Sequence, residues 1–177
     1  MKQLLNSEQI ASIVEQISDA ILSQSGHQSN LAVIGVRSRG EIFARRIGEG
    51  LSSKLGVEVP CGVLDITLYR DDLNSPDRDI QPEVRTTEIG FDISDRTIIL
   101  VDDVLYTGRS TRAAMDALMD FGRPRAIRLA VLVDRVGREL PIQADFAGVR
   151  TDIAPGKLVQ VNFIESDGKD EVIIEKS

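Results

Sequence analysis

The densest chemistry in the chain lies in one run, Thr97-Ile-Ile-Leu-Val-Asp-Asp-Val-Leu-Tyr-Thr-Gly-Arg-Ser-Thr111. Its first five residues are apolar or β-branched and spell a buried strand. Two adjacent carboxylates, Asp102 and Asp103, stand at the carboxyl end of that strand, and a short loop with Thr107, Gly108, Ser110 and Thr111 leads into a helix. The amino end of a helix offers free N–H groups and the positive end of its dipole, which suits a phosphate. Gly108 lets the backbone approach closely, and the hydroxyls add donors. Two acids beside a phosphate loop would repel the anion unless they face something else. Ribose hydroxyls donate well to carboxylates, and a divalent cation can share such a site. The unit therefore suits a sugar monophosphate, with hydroxyls on the acids and phosphate on the helix. An isolated Asp-Asp pair more often just ends a strand and helps cap a helix. The buried strand before this pair and the Thr-Gly-Arg-Ser-Thr run after it favour the ligand reading. Neither G-x-x-x-x-G-K-[ST] nor a G-x-G-x-x-G following a strand occurs.

Alternating strand and helix patterns surround this unit. Ile10, Ile13, Val14, Ile17 and Ile21 recur at helical spacing, with Asn6 or Ser7 as cap. Leu31–Val36 reads as a strand covered on both faces. Phe43, Ile47, Leu51 and Leu55 predict a second helix, and Val63–Leu68 a further strand. Arg70–Arg85 is polar and holds two prolines, and loops of such length are commonly functional. Thr86–Ile93 alternates weakly, as a return strand would. Arg109–Phe121 reads as a helix with Ala114, Met115, Leu118 and Phe121 on one face, stopped by Gly122 and Pro124. Ala126–Val133 is another buried strand, and Leu158–Ile164 and Glu171–Glu175 close the pattern. This order predicts an α/β fold: one domain over residues 1–177, with an open, mostly parallel twisted sheet and helices on both faces. In such sheets ligands bind at the carboxyl ends of strands. Arg37-Ser-Arg-Gly40, after the first buried strand, then lies at the same edge as Asp102 and Asp103.

Composition narrows the class. With 42% apolar and 28% charged residues, the chain reads as an ordinary globular protein. Cys61 is the only cysteine, so no internal disulfide forms, and it reads as a core thiol in a reducing compartment. Met1–Ile10 lacks the features of a signal peptide, and no apolar run approaches the roughly 20 residues that span a bilayer. The expected location is the cytoplasm. A net charge of −7 argues against indiscriminate nucleic-acid binding. Arg123–Lys157 nevertheless holds seven Lys/Arg against four Asp/Glu, a local excess of three positive charges. The sole histidine, His27, sits in a polar break and reads as part of a surface turn.

Ile98–Thr111 resembles the phosphoribosyl pyrophosphate (PRPP) signature of type I phosphoribosyltransferases. Other segments are similar to the bifunctional pyrimidine operon regulator/uracil phosphoribosyltransferase family. They are Leu64-Asp-Ile-Thr-Leu-Tyr-Arg-Asp-Asp-Leu73, Asp102–Arg109, Phe121-Gly-Arg-Pro124, and Leu129–Arg135 continued by Arg138-Glu-Leu-Pro141. The likeness runs from about Leu31 to Phe146, and more loosely toward both ends.

The resemblance implies the type I fold with a small hood and a flexible hairpin loop. It implies conversion of uracil and PRPP to uridine monophosphate (UMP) and diphosphate with Mg2+. It further implies UMP-dependent binding to pyrimidine leader mRNA and a homodimer or higher homo-oligomer. Asp102 and Asp103 would contact the ribose hydroxyls and hold the metal indirectly, through ribose or water. Val104, Leu105, Tyr106, Thr107, Gly108, Arg109, Ser110 and Thr111 would wrap the 5′-phosphate. Arg37, Ser38, Arg39 and Gly40 resemble the pyrophosphate loop. Tyr69–Arg85 resembles the loop that closes over the site, with Arg70 as a cation for the pyrophosphate and Asp77 and Asp79 as solvated acids. Asp102, Asp103, Arg39 and Arg70 are the expected catalytic set. Val133, Asp134 and Arg135 would flank uracil. Relatives carry Gly-His after Asp-Arg where this chain has Val136-Gly137. A purine or orotate phosphoribosyltransferase without RNA regulation is the alternative.

Overall fold

The computed structural model describes residues 2–25, 30–71, 85–154 and 156–176. The chain runs β1 (Lys2–Leu5), α1 (Ser7–Ser25), β2 (Leu31–Val36), α2 (Arg39–Leu55), β3 (Cys61–Leu64), β4 (Thr97–Leu105) and α3 (Arg109–Met119). It continues through β5 (Ala126–Arg135), β6 (Phe146–Thr151), β7 (Lys157–Asn162), α4 (Ile164–Asp167) and β8 (Glu171–Lys176). Five strands form a parallel sheet in the order β3-β2-β4-β5-β6.

Side-chain alternation along each strand splits the core in two. Leu31, Val33, Ile99, Val101, Ala130 and Leu132 face α1 and α2, meeting Ile10, Ile17, Phe43 and Ile47. Ala32, Ile34, Ile98, Leu100, Leu129 and Val131 face α3, meeting Ala113, Ala114, Ala117 and Leu118. Helices therefore cover both faces, as the sequence predicts. Asn6 opens α1 through a reciprocal cap. Its Oδ1 accepts the Gln9 N–H at 2.9 Å, while Gln9 Oε1 accepts the Asn6 N–H at 3.0 Å.

A second, antiparallel sheet of order β1-β8-β7 forms the hood. Arg46 of α2 anchors it, reaching Glu165 at 2.6 Å and Asp170 at 2.7 Å while lying 4.8 Å from the centre of the Phe163 ring. The guanidinium holds both carboxyls below their usual range.

Several expectations need correction. The strand expected over Val63–Leu68 ends at Leu64. There Asp65 accepts the Thr67 N–H at 3.1 Å and the Thr67 hydroxyl at 2.6 Å, folding Thr67–Tyr69 into a 3₁₀ turn. The return strand expected over Thr86–Ile93 is a single antiparallel bridge between Val63 and Glu88. α3 stops at Met119, which leaves Phe121 exposed. Cys61 is not a buried core thiol: it opens the edge strand β3 as an exposed residue, with its Sγ resting beside Gly48 of α2. β4 and β5 run longer than expected, and β1 and β6 carry no clear pattern in sequence. His27, Asp77 and Asp79 lie outside the described residues, as do residues 72–84 of the expected closing loop. No helix among the described residues is long and apolar enough to cross a membrane.

Candidate active site

Register builds the site. β2 and β4 are parallel neighbours with Gly35 opposite Val101, so the turn leaving β2 and the acids on β4 emerge side by side. α2 starts inside that turn, and Gly40 presses on the tip of β4. A Cβ there would lie 2.8 Å from the Val101 carbonyl oxygen and 3.1 Å from the Asp102 Cα. Asp102 and Asp103 belong to β4 itself, four and three residues short of Tyr106, the first residue beyond the strand. Both keep part of their surface exposed. Each accepts the next backbone N–H at 2.9 Å, Asp102 from Asp103 and Asp103 from Val104. Burial of the Asp102 carboxyl pushes its pKa well above the usual carboxylate range, and the charge of Asp103 pushes it the same way.

Beyond the acids, Gly108 takes φ 92°, a left-handed conformation that favours glycine. It caps α3, and its carbonyl accepts the Arg112 N–H at 2.9 Å. The N–H groups of the first turn have no intrahelical acceptor, so Ser110 and Thr111 can offer theirs to an anion. The Arg109 side chain is engaged elsewhere, between Asp71 at 2.6 Å and Glu139 at 2.7 Å.

The turn 37–40 carries two arginines, each already held by carboxylates. Arg37 meets Glu88 at 2.9 Å and Glu41 at 3.8 Å, while Arg39 meets Asp167 of the hood at 2.8 Å. The Arg37–Ser38 peptide bond is cis. Arg70 is exposed just after the 3₁₀ turn, which docks on α3 through Tyr69: its hydroxyl bonds Asp120, and its carbonyl accepts from Arg112 at 3.2 Å.

On the far side of the acids, Val133 is fully buried in the core. Asp134 is paired with Arg138 and, at 3.2 Å, with Arg150. Arg135 is 5% exposed, donates to the Lys157 carbonyl at 2.9 Å and lies 4.0 Å from the centre of the Tyr106 ring. The same ring explains Gly137. With φ 131°, a Cβ at that position would stand 2.3 Å from Tyr106 Cε2. In this arrangement Tyr106 fills the room that a side chain at position 137 would need.

The structure thus brings Arg37–Gly40, Asp102, Asp103 and the loop to Thr111 to one edge of the sheet, with Val133–Arg135 on the neighbouring strand. Glu88, Asp167 and Arg138 hold these groups and carried no functional signal in their own local spacing. A separate cavity of about 700 Å³ lies at the opposite edge, among Gln24, Thr97, Arg125, Arg128 and Asp145. It combines neither the acid pair nor a helix amino terminus.

This strand-tip constellation coincides with a family match, since the profile of the phosphoribosyl transferase domain covers residues 1–164. The chain belongs to the phosphoribosyl transferase family. It is 52% identical over 169 residues to the bifunctional protein PyrR of Deinococcus radiodurans, covering 96% of this chain and 91% of that one. It is 44% identical over 173 residues to the bifunctional protein PyrR of Limosilactobacillus fermentum, covering 98% and 97%. It therefore groups with the PyrR proteins inside the phosphoribosyltransferases. Among solved structures, a Trypanosoma cruzi hypoxanthine phosphoribosyl transferase matches with a TM-score of 0.71 at 18% identity, covering 98% of this chain and 90% of that one. A Pyrococcus horikoshii purine phosphoribosyltransferase matches with a TM-score of 0.60 at 22% identity, covering 85% and 90%. These two establish the fold.

In this phosphoribosyltransferase the basic excess of Arg123–Lys157 does not form one face. Arg123, Arg125 and Arg128 sit at the amino end of β5, while Arg135, Arg138, Arg150 and Lys157 sit near its carboxyl end or beyond. Of the latter four, Arg135 is buried and Arg138 is tied to backbone carbonyls, which leaves Arg150 and Lys157 as the exposed pair.

Proposed function

We propose that the protein transfers the phosphoribosyl group of PRPP to uracil, giving UMP and diphosphate, and that its UMP-bound form binds pyrimidine leader mRNA. One observation carries the enzymatic reading. Two adjacent acids on β4, residues that each keep part of their surface exposed, stand between the first turn of α3, with its free N–H groups, and the arginine-bearing turn 37–40. Ribose hydroxyls on the acids put the 5′-phosphate toward α3 and the diphosphate toward Arg37 and Arg39. Uracil, held along Val133–Arg135, attacks C1 of the ribose through N1. The bond from C1 to the diphosphate oxygen breaks, its electron pair leaves with diphosphate, and the N1 proton is released. Arg37 and Arg39 neutralise the charge that grows on the leaving group, exchanging carboxylate partners for phosphate oxygens. Arg70 adds a further cation from the stem of the loop.

Mg2+ fits this site. Asp102 and Asp103 crowd two carboxyls together, and the burial that raises the Asp102 pKa is relieved by a nearby cation. Among the described residues no cluster of three metal-ligating side chains exists, so the ion would be shared with substrate oxygens. When bound, Mg2+ withdraws charge from the leaving diphosphate.

The base assignment rests on the PyrR relatives at 44–52% identity. The purine enzymes of the same fold bear on architecture alone. Incubating the protein with PRPP, Mg2+ and a panel of free bases is expected to consume uracil and leave hypoxanthine, guanine and orotate. Consumption of a purine instead overturns the base assignment and leaves the PRPP site standing.

The regulatory half is supported by the word "bifunctional" in the relatives' name and by exposed Arg150 and Lys157 beside the site. In a filter-binding titration with pyrimidine leader RNA, affinity should rise with UMP. It should fall with salt by about 0.7 log units per log unit of salt for each phosphate contact. Absence of binding at low salt, with and without UMP, leaves only the enzyme. In the same reading the protein acts in the cytoplasm as a homo-oligomer.

A further inference from the structure

A loop that presents successive N–H groups to an anion must turn its carbonyls the other way. Here those carbonyls have fixed acceptor roles. Arg138, on the segment after β5, donates through Nη1 to the Tyr106 carbonyl at 2.5 Å and the Leu105 carbonyl at 3.4 Å. The Thr107 carbonyl accepts from the Glu139 N–H at 2.9 Å and the Leu140 N–H at 3.2 Å. Side chains of the same segment lie on the side of the loop to which a Cβ at Gly108 would point, since such a Cβ would stand 3.4 Å from Ile142 and 3.5 Å from Leu140. The Arg138 guanidinium is also fastened to its own side of the site. It reaches the Arg135 carbonyl at 3.0 Å, the Ile142 carbonyl through Nε at 2.8 Å, and the Asp134 carboxylate through Nη2.

From this geometry we infer that Arg138 is a positioning residue for the 5′-phosphate site. It keeps the carbonyls of Leu105 and Tyr106 turned away from the ligand and locks the loop to the segment 134–142 that flanks the base. The inference rests on the phosphate-binding reading of Val104–Thr111. A planar guanidinium with five donors spans four carbonyls and a carboxylate. The single ammonium of lysine, a point charge on a flexible stem, does not. Arg150 serves as the internal comparison, since it pairs with the same Asp134 from outside and makes no contact with the loop among the bonds described.

The test titrates wild type, Arg138→Ala, Arg138→Lys and Arg150→Ala with ribose 5-phosphate by calorimetry, then measures KM for PRPP and for uracil. Both Arg138 variants are expected to bind ribose 5-phosphate about 30-fold more weakly and to raise the PRPP KM in step, since small misplacements of a positioned site are costly. Arg150→Ala, which touches neither the loop nor its carbonyls among the bonds described, should match wild type in ribose 5-phosphate binding and PRPP KM, the two readouts that Arg138 is expected to move. Added methylguanidinium should restore part of the binding of Arg138→Ala, which a loss of folded protein would not allow. If Arg138→Ala does not fold, Arg138→Lys, which keeps a cation beside Asp134, carries the test. Folded Arg138 variants that bind ribose 5-phosphate as tightly as wild type overturn the inference. So does a loss that follows the unfolded fraction and resists methylguanidinium. Failure of wild type to bind either ribose 5-phosphate or PRPP is a different result and removes the phosphate site itself.

Discussion

Replacing both acids, Asp102→Asn with Asp103→Asn, lowers nucleotide formation by about 10³-fold or more and leaves the chain folded. The loss follows from their place on β4, where the carboxylates are the groups available to orient ribose hydroxyls and share a cation. Stability moves the opposite way. Burial and the neighbouring Asp103 charge raise the Asp102 pKa well above the usual carboxylate range. The native state then holds a proton more tightly than the unfolded chain. Ionising Asp102 removes stability as pH rises from the ordinary carboxylate pKa, about 3.9, through the raised native value. Asparagine abolishes that loss and can still accept the Asp103 N–H. The single variant Asp102→Asn should melt higher than wild type at neutral pH, with the gap closing in acid, where both side chains are neutral. A calorimetric pH series reads this directly. An equal or lower melting temperature at neutral pH would show that the buried carboxyl carries no native-state penalty, and unchanged UMP formation by the double variant takes both acids out of the mechanism.

The sequence makes the frame of this site legible where local physics decides it. Leu31–Val36 and Ile98–Val101 are apolar throughout, and Ala126–Val133 is so except for Arg128, the pattern of strands covered on both faces. The turn proposed to bind the 5′-phosphate is legible for the same reason: a strand, a left-handed glycine and a helix start are all local features. The strand that carries the acids runs on to Leu105, but charge at Asp102 and Asp103 masks its continuation. β6, Phe146–Thr151, is half exposed at the edge of the sheet and shows neither a clean alternation nor a solid apolar run. The contacts that hold the candidate site's arginines are harder still to read. Arg39 meets Asp167 across 128 residues and Arg37 meets Glu88 across 51, and no spacing rule reaches so far. Arg138 reads as one more cation in a basic stretch until the fold places it behind the loop at Tyr106. Gly137 reads as a departure from relatives until the Tyr106 ring is found in the space beside it.

Gly35→Ala should cost about 3 kcal/mol of stability and, in the protein that still folds, raise the PRPP KM at least about 10-fold. Gly35 is the buried penultimate residue of β2, where the start of α2 packs against the strand. A Cβ there would stand 2.5 Å from the Gly40 carbonyl oxygen and 2.7 Å from the Glu41 Cα. Those atoms are backbone, so no side-chain rotation relieves the contact and the first turn of α2 must lift. Gly40 is the residue that presses on Val101 and Asp102, so lifting it moves the 37–40 turn away from the acids. Two glycines, one on the strand and one on the helix, therefore set the distance between the arginines proposed for the diphosphate and the carboxylates proposed for the ribose. Leu51→Ala separates this effect from simple destabilisation. Leu51 is fully buried near the other end of the same helix, and its truncation costs a similar amount, about 3 kcal/mol, without touching the turn. Its PRPP KM should equal that of wild type, and the uracil KM should stay unchanged in both variants. If Gly35→Ala and Leu51→Ala raise the PRPP KM alike, helix stability rather than the glycine contact governs the site.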